Sequence, residues 1–143
     1  MEPRRVSRML GGRAVLGRAL TSDRDLELAV ERGLPKAALT AVARRLFPDP
    51  AARRAAIHRI VPAATFKRRR TQLSLVESER TERLARVAAL AEEVLGGLEE
   101  AREFLSAAHP MLDGRSPAEA ATTDLGARQV ERILHAVAHG LPV

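Results

Sequence analysis

Along this chain apolar residues recur at spacings of three and four and nowhere alternate over the length of a strand, so the pattern predicts helices throughout. Residues 1–21 carry Gly11, Gly12 and Gly17 among scattered arginines, without a sustained period, and read as a flexible basic arm. Ser22 or Asp23 caps a short helix through Arg32, with Leu26, Leu28, Ala29 and Val30 as its apolar residues and Gly33 as its stop. Pro35 opens a second segment in which Ala38, Leu39, Val42, Ala43 and Leu46 share one face. At the turn Phe47-Pro48-Asp49-Pro50, Asp49 stands as N-cap and Pro50 as the first residue of a third helix, which runs to about Ile60. Val61-Pro62 interrupts the chain again. A short segment from Ala63 to about Thr71 follows, with Ala64 and Phe66 available to pack and cations on its other side.

Ser74-Leu75-Val76-Glu77 matches a capping box, in which the serine hydroxyl and the glutamate carboxylate satisfy each other's free backbone amides, so a long helix starts near Leu75. Leu84, Val87, Ala91, Val94 or Leu95, and Leu98 keep its apolar period, and Gly96-Gly97 breaks it. Leu98 to Ala108 forms a further helix with Leu98, Ala101, Phe104 and Leu105 inward. Ser116-Pro117-Ala118-Glu119 repeats the capping box before one or two helical turns. Thr122 or Thr123 then caps a last helix with Leu125, Ala127, Val130, Ile133, Leu134 and Val137 inward and Gly140 and Pro142 as stops. The fold class expected is all-α, in two helical units over 22–72 and 73–143 behind the arm.

Composition sharpens this picture. With 143 residues, 45% apolar but only 2% aromatic, the core has to be built from Ala, Leu, Val and Ile, a mix suited to closely packed helices. The absence of cysteine removes disulfides, thiolate metal sites and thiol nucleophiles, and fits a cytoplasmic setting. No apolar run approaches the roughly 18 residues that span a bilayer, so no membrane partner is expected.

Charge divides the chain. Residues 1–70 hold 17 Lys and Arg against 6 Asp and Glu, whereas residues 71–143 hold 7 against 12. Cations are densest from Ala51 to Arg70, where Arg53, Arg54, Arg59, Lys67, Arg68, Arg69 and Arg70 occur without an acidic residue. Such a stretch suits a duplex phosphate backbone, because each neutralised phosphate releases condensed counterions. With no Trp or Tyr and only Phe47, Phe66 and Phe104, the stacking platforms that hold single strands are missing. Two short helices joined by a tight turn, the second strongly basic, have the form of a helix-turn-helix. In it Thr65, Lys67, Arg68, Arg69 and Arg70, with Arg53 and Arg54 on the preceding helix, are the candidate DNA contacts: a short polar side chain near base edges and long cations on phosphates. The competing reading is a basic linker between two helical units.

Enzyme chemistry finds little support. His135 and His139 have the spacing of a zinc-protease helix, but Ala136 stands where the general base belongs and no third ligand is in view, so neither a metal nor a catalytic site is assigned. The two histidines read instead as partly exposed side chains near a helix C-terminus, where the dipole favours a cation. His58 and His109 stand alone, and Gly11-Gly12 and Gly96-Gly97 lack the lysine and strand of a phosphate loop. No cofactor is expected.

The second half has a recognisable order: Leu73-Ser74, Glu77-Ser78, Arg83-Leu84-Ala85-Arg86, Phe104-Leu105, His109 through Pro117, Gly126-Ala127-Arg128, Val130-Glu131, Ile133-Leu134 and His139-Gly140. Together with Gly33-Leu34-Pro35, Thr65, Arg69 and Arg70 upstream, it resembles the Xre/MbcA/ParS-type antitoxins, partners of RES-domain toxins, from about residue 25 to the end. The resemblance implies a helix-turn-helix DNA-binding unit over 22–72 and a toxin-binding and dimerisation unit over 73–143. It also implies a homodimer within a toxin-antitoxin complex, bound to double-stranded operator DNA and to a toxin that consumes NAD. In such complexes the antitoxin's C-terminal segment blocks the toxin's active-site entrance. On this chain that maps to Arg128, Glu131, Arg132, His135, His139 and Val143. The charge map agrees, since an anionic rear repels DNA and suits a protein partner. A stand-alone helix-turn-helix regulator whose second half only dimerises is the alternative.

Overall fold

Side-chain caps set the helix starts. Ser22, Asp49, Ser74, Ser116 and Thr123 each accept the backbone N–H three residues further on, satisfying an amide that has no partner inside the helix. At Ser74 and Ser116 the box is reciprocal, with Glu77 and Glu119 returning to the cap's own amide. The computed structural model describes residues 2–141, and among them the regular structure is helical, with one isolated bridge between Pro35 and Gln72. The helices are α1 (Pro3–Met9), α2 (Gly12–Leu16), α3 (Asp23–Arg32), α4 (Lys36–Leu46), α5 (Pro50–Ile60), α6 (Ala63–Arg68), α7 (Leu75–Leu95), α8 (Leu98–Ser106), α9 (Pro117–Ala120) and α10 (Asp124–Ala138), with a 3-10 turn at Pro110–Leu112.

α7 is the axis of the molecule, touching α1, α3, α4, α5, α8 and α10. Ala85, Ala88, Ala89 and Ala91 are buried along it, and their small side chains let neighbouring helices come close. α10 lays Ala127, Val130, Ile133 and Leu134 into this core and comes so near α9 that a Cβ on Gly126 would lie 1.8 Å from the Ala120 carbonyl oxygen. Leu125, expected inward, is 71% exposed. It stands one helical step off the buried face and falls in line with Gln129 and Arg132, neither of which is buried.

Over residues 2–21 the expected flexible arm is corrected. Val6, Met9 and Leu10 have the three-and-four spacing of a short helix and are buried, as is Leu20, and α1 packs against α3, α4 and α7. Arg4 before them and Arg8 among them take exposed positions, which is why composition alone suggests an open basic segment. The buried residues of both charge halves form one cluster running from Val6 to Leu134. The boundary expected at 72/73 therefore falls at the entrance to the helix that both halves share.

Candidate functional site

α5 and α6 are joined by Val61-Pro62, and Pro62 is the N-cap of the second helix. α6 ends at Arg68 rather than near Thr71 because the following residues are drawn into extended pairing with the entrance of α4. The Lys36 amide donates to the Thr71 carbonyl at 2.8 Å, and the Leu73 amide donates to the Leu34 carbonyl at 2.9 Å. A side chain at Gly33 would meet the Leu73 carbonyl oxygen at 2.7 Å, and its φ of +91° suits glycine in any case. Lys36, which the charge pattern alone does not single out, lies 4.2 Å from the centre of the Phe66 ring and donates to the Arg69 carbonyl at 3.2 Å.

The seven candidate DNA contacts separate into two groups. Arg54, Lys67, Arg68 and Arg70 are exposed, and no ion pair engages them among the described residues. Thr65 is half-buried beside them, its hydroxyl accepting from Arg68 at 3.3 Å. Arg53 and Arg69 are instead used by the fold. Arg53 donates to the Phe47 and Pro48 carbonyls at 3.0 and 2.9 Å, closing the turn before its own helix. Arg69 forks onto both carboxylate oxygens of Glu77, each at 3.1 Å. Arg45 on α4 also meets a carboxylate of the second half, Glu92, at 3.4 Å.

On α10 and its C-cap His139, Leu125, Arg128, Gln129, Arg132, His135 and His139 follow one another at helical spacing and none is buried, forming a continuous stripe. Arg128 is paired along the helix with Asp124 at 3.1 Å. Glu131 lies off this stripe, with one oxygen 3.1 Å from the Arg86 guanidinium of α7 and no aligned hydrogen bond between those buried atoms. It ties α10 to α7. Val143 lies outside the described residues.

Glu82 belongs to the same internal cluster. Burial pushes its carboxyl up, and the guanidinium groups of Arg86 and Arg83 pull against that rise. A hollow of about 790 Å³ opens nearby between α3 and α7, with Leu26, Val30, Glu27, Glu31 and Glu79 in its lining and no residue of α6. The isolated histidines are structural. His58 Nδ1 lies 3.1 Å from the Val61 carbonyl oxygen, and His109 Nδ1 accepts the Met111 amide at 3.1 Å. Among the described residues no three His, Asp or Glu side chains come together as metal ligands, and no helix is long and apolar enough to cross a membrane.

Both halves of the chain have counterparts among known proteins. An antitoxin Xre-like helix-turn-helix domain matches residues 25–86, and an antitoxin Xre/MbcA/ParS C-terminal toxin-binding domain matches residues 90–140. A curated relative named Antitoxin Xre, from Pseudomonas putida KT2440, is 32% identical over 124 residues, which is 85% of this chain and 76% of the relative. The chain belongs to the Xre/MbcA/ParS antitoxin family. It is thus an antitoxin and not an enzyme. Within the family's helix-turn-helix match fall most of α3, all of α4 to α6 and the first half of α7, and within its toxin-binding match fall the end of α7 and all of α8 to α10. α1 and α2 precede both matches.

Proposed function

We propose that this antitoxin neutralises a RES-domain toxin that consumes NAD, by laying the exposed stripe of α10 across the entrance of the toxin's active site, and that it represses its own operon through α6 as a homodimer in the cytoplasm. The observation that carries the reading is the α10 stripe. Leu125, Arg128, Arg132, His135 and His139 form one solvent-facing ridge inside the segment matched as toxin-binding. An apolar residue flanked by cations and imidazoles is the composition of an interface anchor with a polar surround. Inhibition is then steric, and the antitoxin contributes no reacting group.

The DNA half of the reading is supported by Arg54, Lys67, Arg68 and Arg70, which stay open around a two-helix unit of helix-turn-helix form. Co-expression with the toxin encoded beside it tests the first half. The wild-type chain restores growth and co-purifies with the toxin, whereas the L125D/R132E variant does neither while keeping its helical content. Growth rescue by that variant would refute the α10 stripe as the contact surface.

A further inference from the structure

The first two turns of α7 face the helix-turn-helix with three closely spaced fastenings. Glu77 accepts the Arg69 fork just past the end of α6, at 3.1 Å on both oxygens. Ser78 accepts the Leu34 amide at 2.8 Å at the entrance of α4. Arg80 donates to the Ile60 carbonyl at 3.2 Å, at the last residue of α5. Both helices of the helix-turn-helix are therefore tied at their C-terminal ends to the same rigid helix, by one anionic and one cationic side chain set three residues apart. The Glu77 carboxylate is also locked from behind, accepting the Ser74 amide at 2.8 Å within the capping box. It is 9% exposed, so it has little freedom to swing. Arg69 is held a second time through its carbonyl, which accepts from Lys36 as that residue lies over Phe66 of α6.

We infer that Arg69 and Arg80 are positioning residues for DNA recognition rather than phosphate contacts, with Glu77 and the Ile60 carbonyl as the struts' fixed ends, so that the orientation of α6 depends on α7. This rests on the DNA-binding reading of α6. An arginine forked onto a carboxylate has its charge neutralised and its planar donors used, so it cannot release counterions as its free neighbours do. A six-residue helix such as α6 has too few turns to hold its own direction and takes it from what its end is fastened to. The basic run Lys67-Arg68-Arg69-Arg70 thus divides by direction, with Lys67, Arg68 and Arg70 reaching outward and Arg69 reaching back.

Salt dependence separates the positioning arginines from the phosphate contacts. The probes are a duplex spanning the DNA immediately upstream of the chain's own coding sequence and a mixed-sequence duplex of equal length, each titrated over a range of potassium chloride. Lys67→Ala, Arg68→Ala and Arg70→Ala each flatten the slope of log affinity against log salt by roughly 0.9, one phosphate apiece. Arg69→Ala and Arg80→Ala leave the slope unchanged but cut the preference for the upstream duplex by about tenfold. Arg69→Lys is the sharper variant, because it keeps the charge and loses the fork. It behaves like Arg69→Ala if the residue positions, and like wild type if it contacts phosphate. Glu77→Gln retains an acceptor for the Ser74 amide and lowers the preference as Arg69→Ala does, and the double variant loses no more than either single one. Circular dichroism melting accompanies each, and should Arg69→Ala fail to fold, Arg69→Lys and Glu77→Gln decide. A slope loss of the same size in Arg69→Ala, or wild-type behaviour in Arg69→Lys, overturns the inference and leaves DNA binding intact. Absence of any salt-dependent duplex binding by the wild-type chain overturns the DNA reading itself.

Discussion

At Glu77 burial pushes the carboxyl up, but the Arg69 fork and the Ser74 amide outweigh it and hold the group below its ordinary value of 4.5. A depressed carboxyl contributes stability that is present above the unfolded value and is lost as pH falls through the folded one. Thermal melting should therefore show the wild-type chain losing more stability below about pH 4.5 than Glu77→Gln does. Glu82 has the opposite sign. Burial raises its carboxyl, with Arg86 and Arg83 opposing, so the folded chain binds that proton more tightly than the unfolded chain. Glu82→Gln is expected to melt higher than wild type at about pH 7, and the gap should close on acidification through the raised value. The capping role of Glu77 shows in the sequence, but neither its arginine partner nor the burial of Glu82 does. The same holds for Arg53, Arg69 and Glu131. Each has the residue type of an interface contact, and each is used inside the fold because a carbonyl or an opposite charge, brought near by packing, lies within its reach.

Helix starts were legible at the level of elements because a cap is an arrangement of four neighbouring residues. Asp49-Pro50, Ser74 with Glu77 and Ser116 with Glu119 carry it entirely in local sequence. Helix ends and short helices were less so. α6 stops three residues before the expected position through pairing with α4, a segment more than 30 residues upstream. α1 is seven residues long, too short for its period to stand out among arginines, yet Val6 and Leu10 are fully buried. Val6→Asp should accordingly cost about 3 kcal/mol or more in chemical denaturation, since it buries an unpaired charge where a methyl-bearing side chain packs. Gly126 gives a second check. Gly126→Ala has to push α10 away from the Ala120 carbonyl, and a loss of about 1–3 kcal/mol in the same experiment is expected.

For the whole molecule, the division of charge survives folding but becomes less absolute. α6 and the residues just after it present Lys67, Arg68 and Arg70 to solvent, while Arg45 and Arg69 from the cationic half close onto Glu92 and Glu77 of the anionic half across one continuous core. Replacing Lys67, Arg68 and Arg70 together by Ala should lower the salt slope of duplex binding by roughly 2.7 and leave the toxin complex intact. Loss of both activities would mean that the surfaces are coupled. The sequence by itself determined the helical class, most helix starts, the family and the charged character of each half, because caps, periodicity and net charge are properties of residues close together in the chain. Only the tertiary structure decided which arginines remain free, that the leading segment is part of the core, and that α7 serves both halves, because each of these depends on which groups are brought within a few ångströms from distant positions.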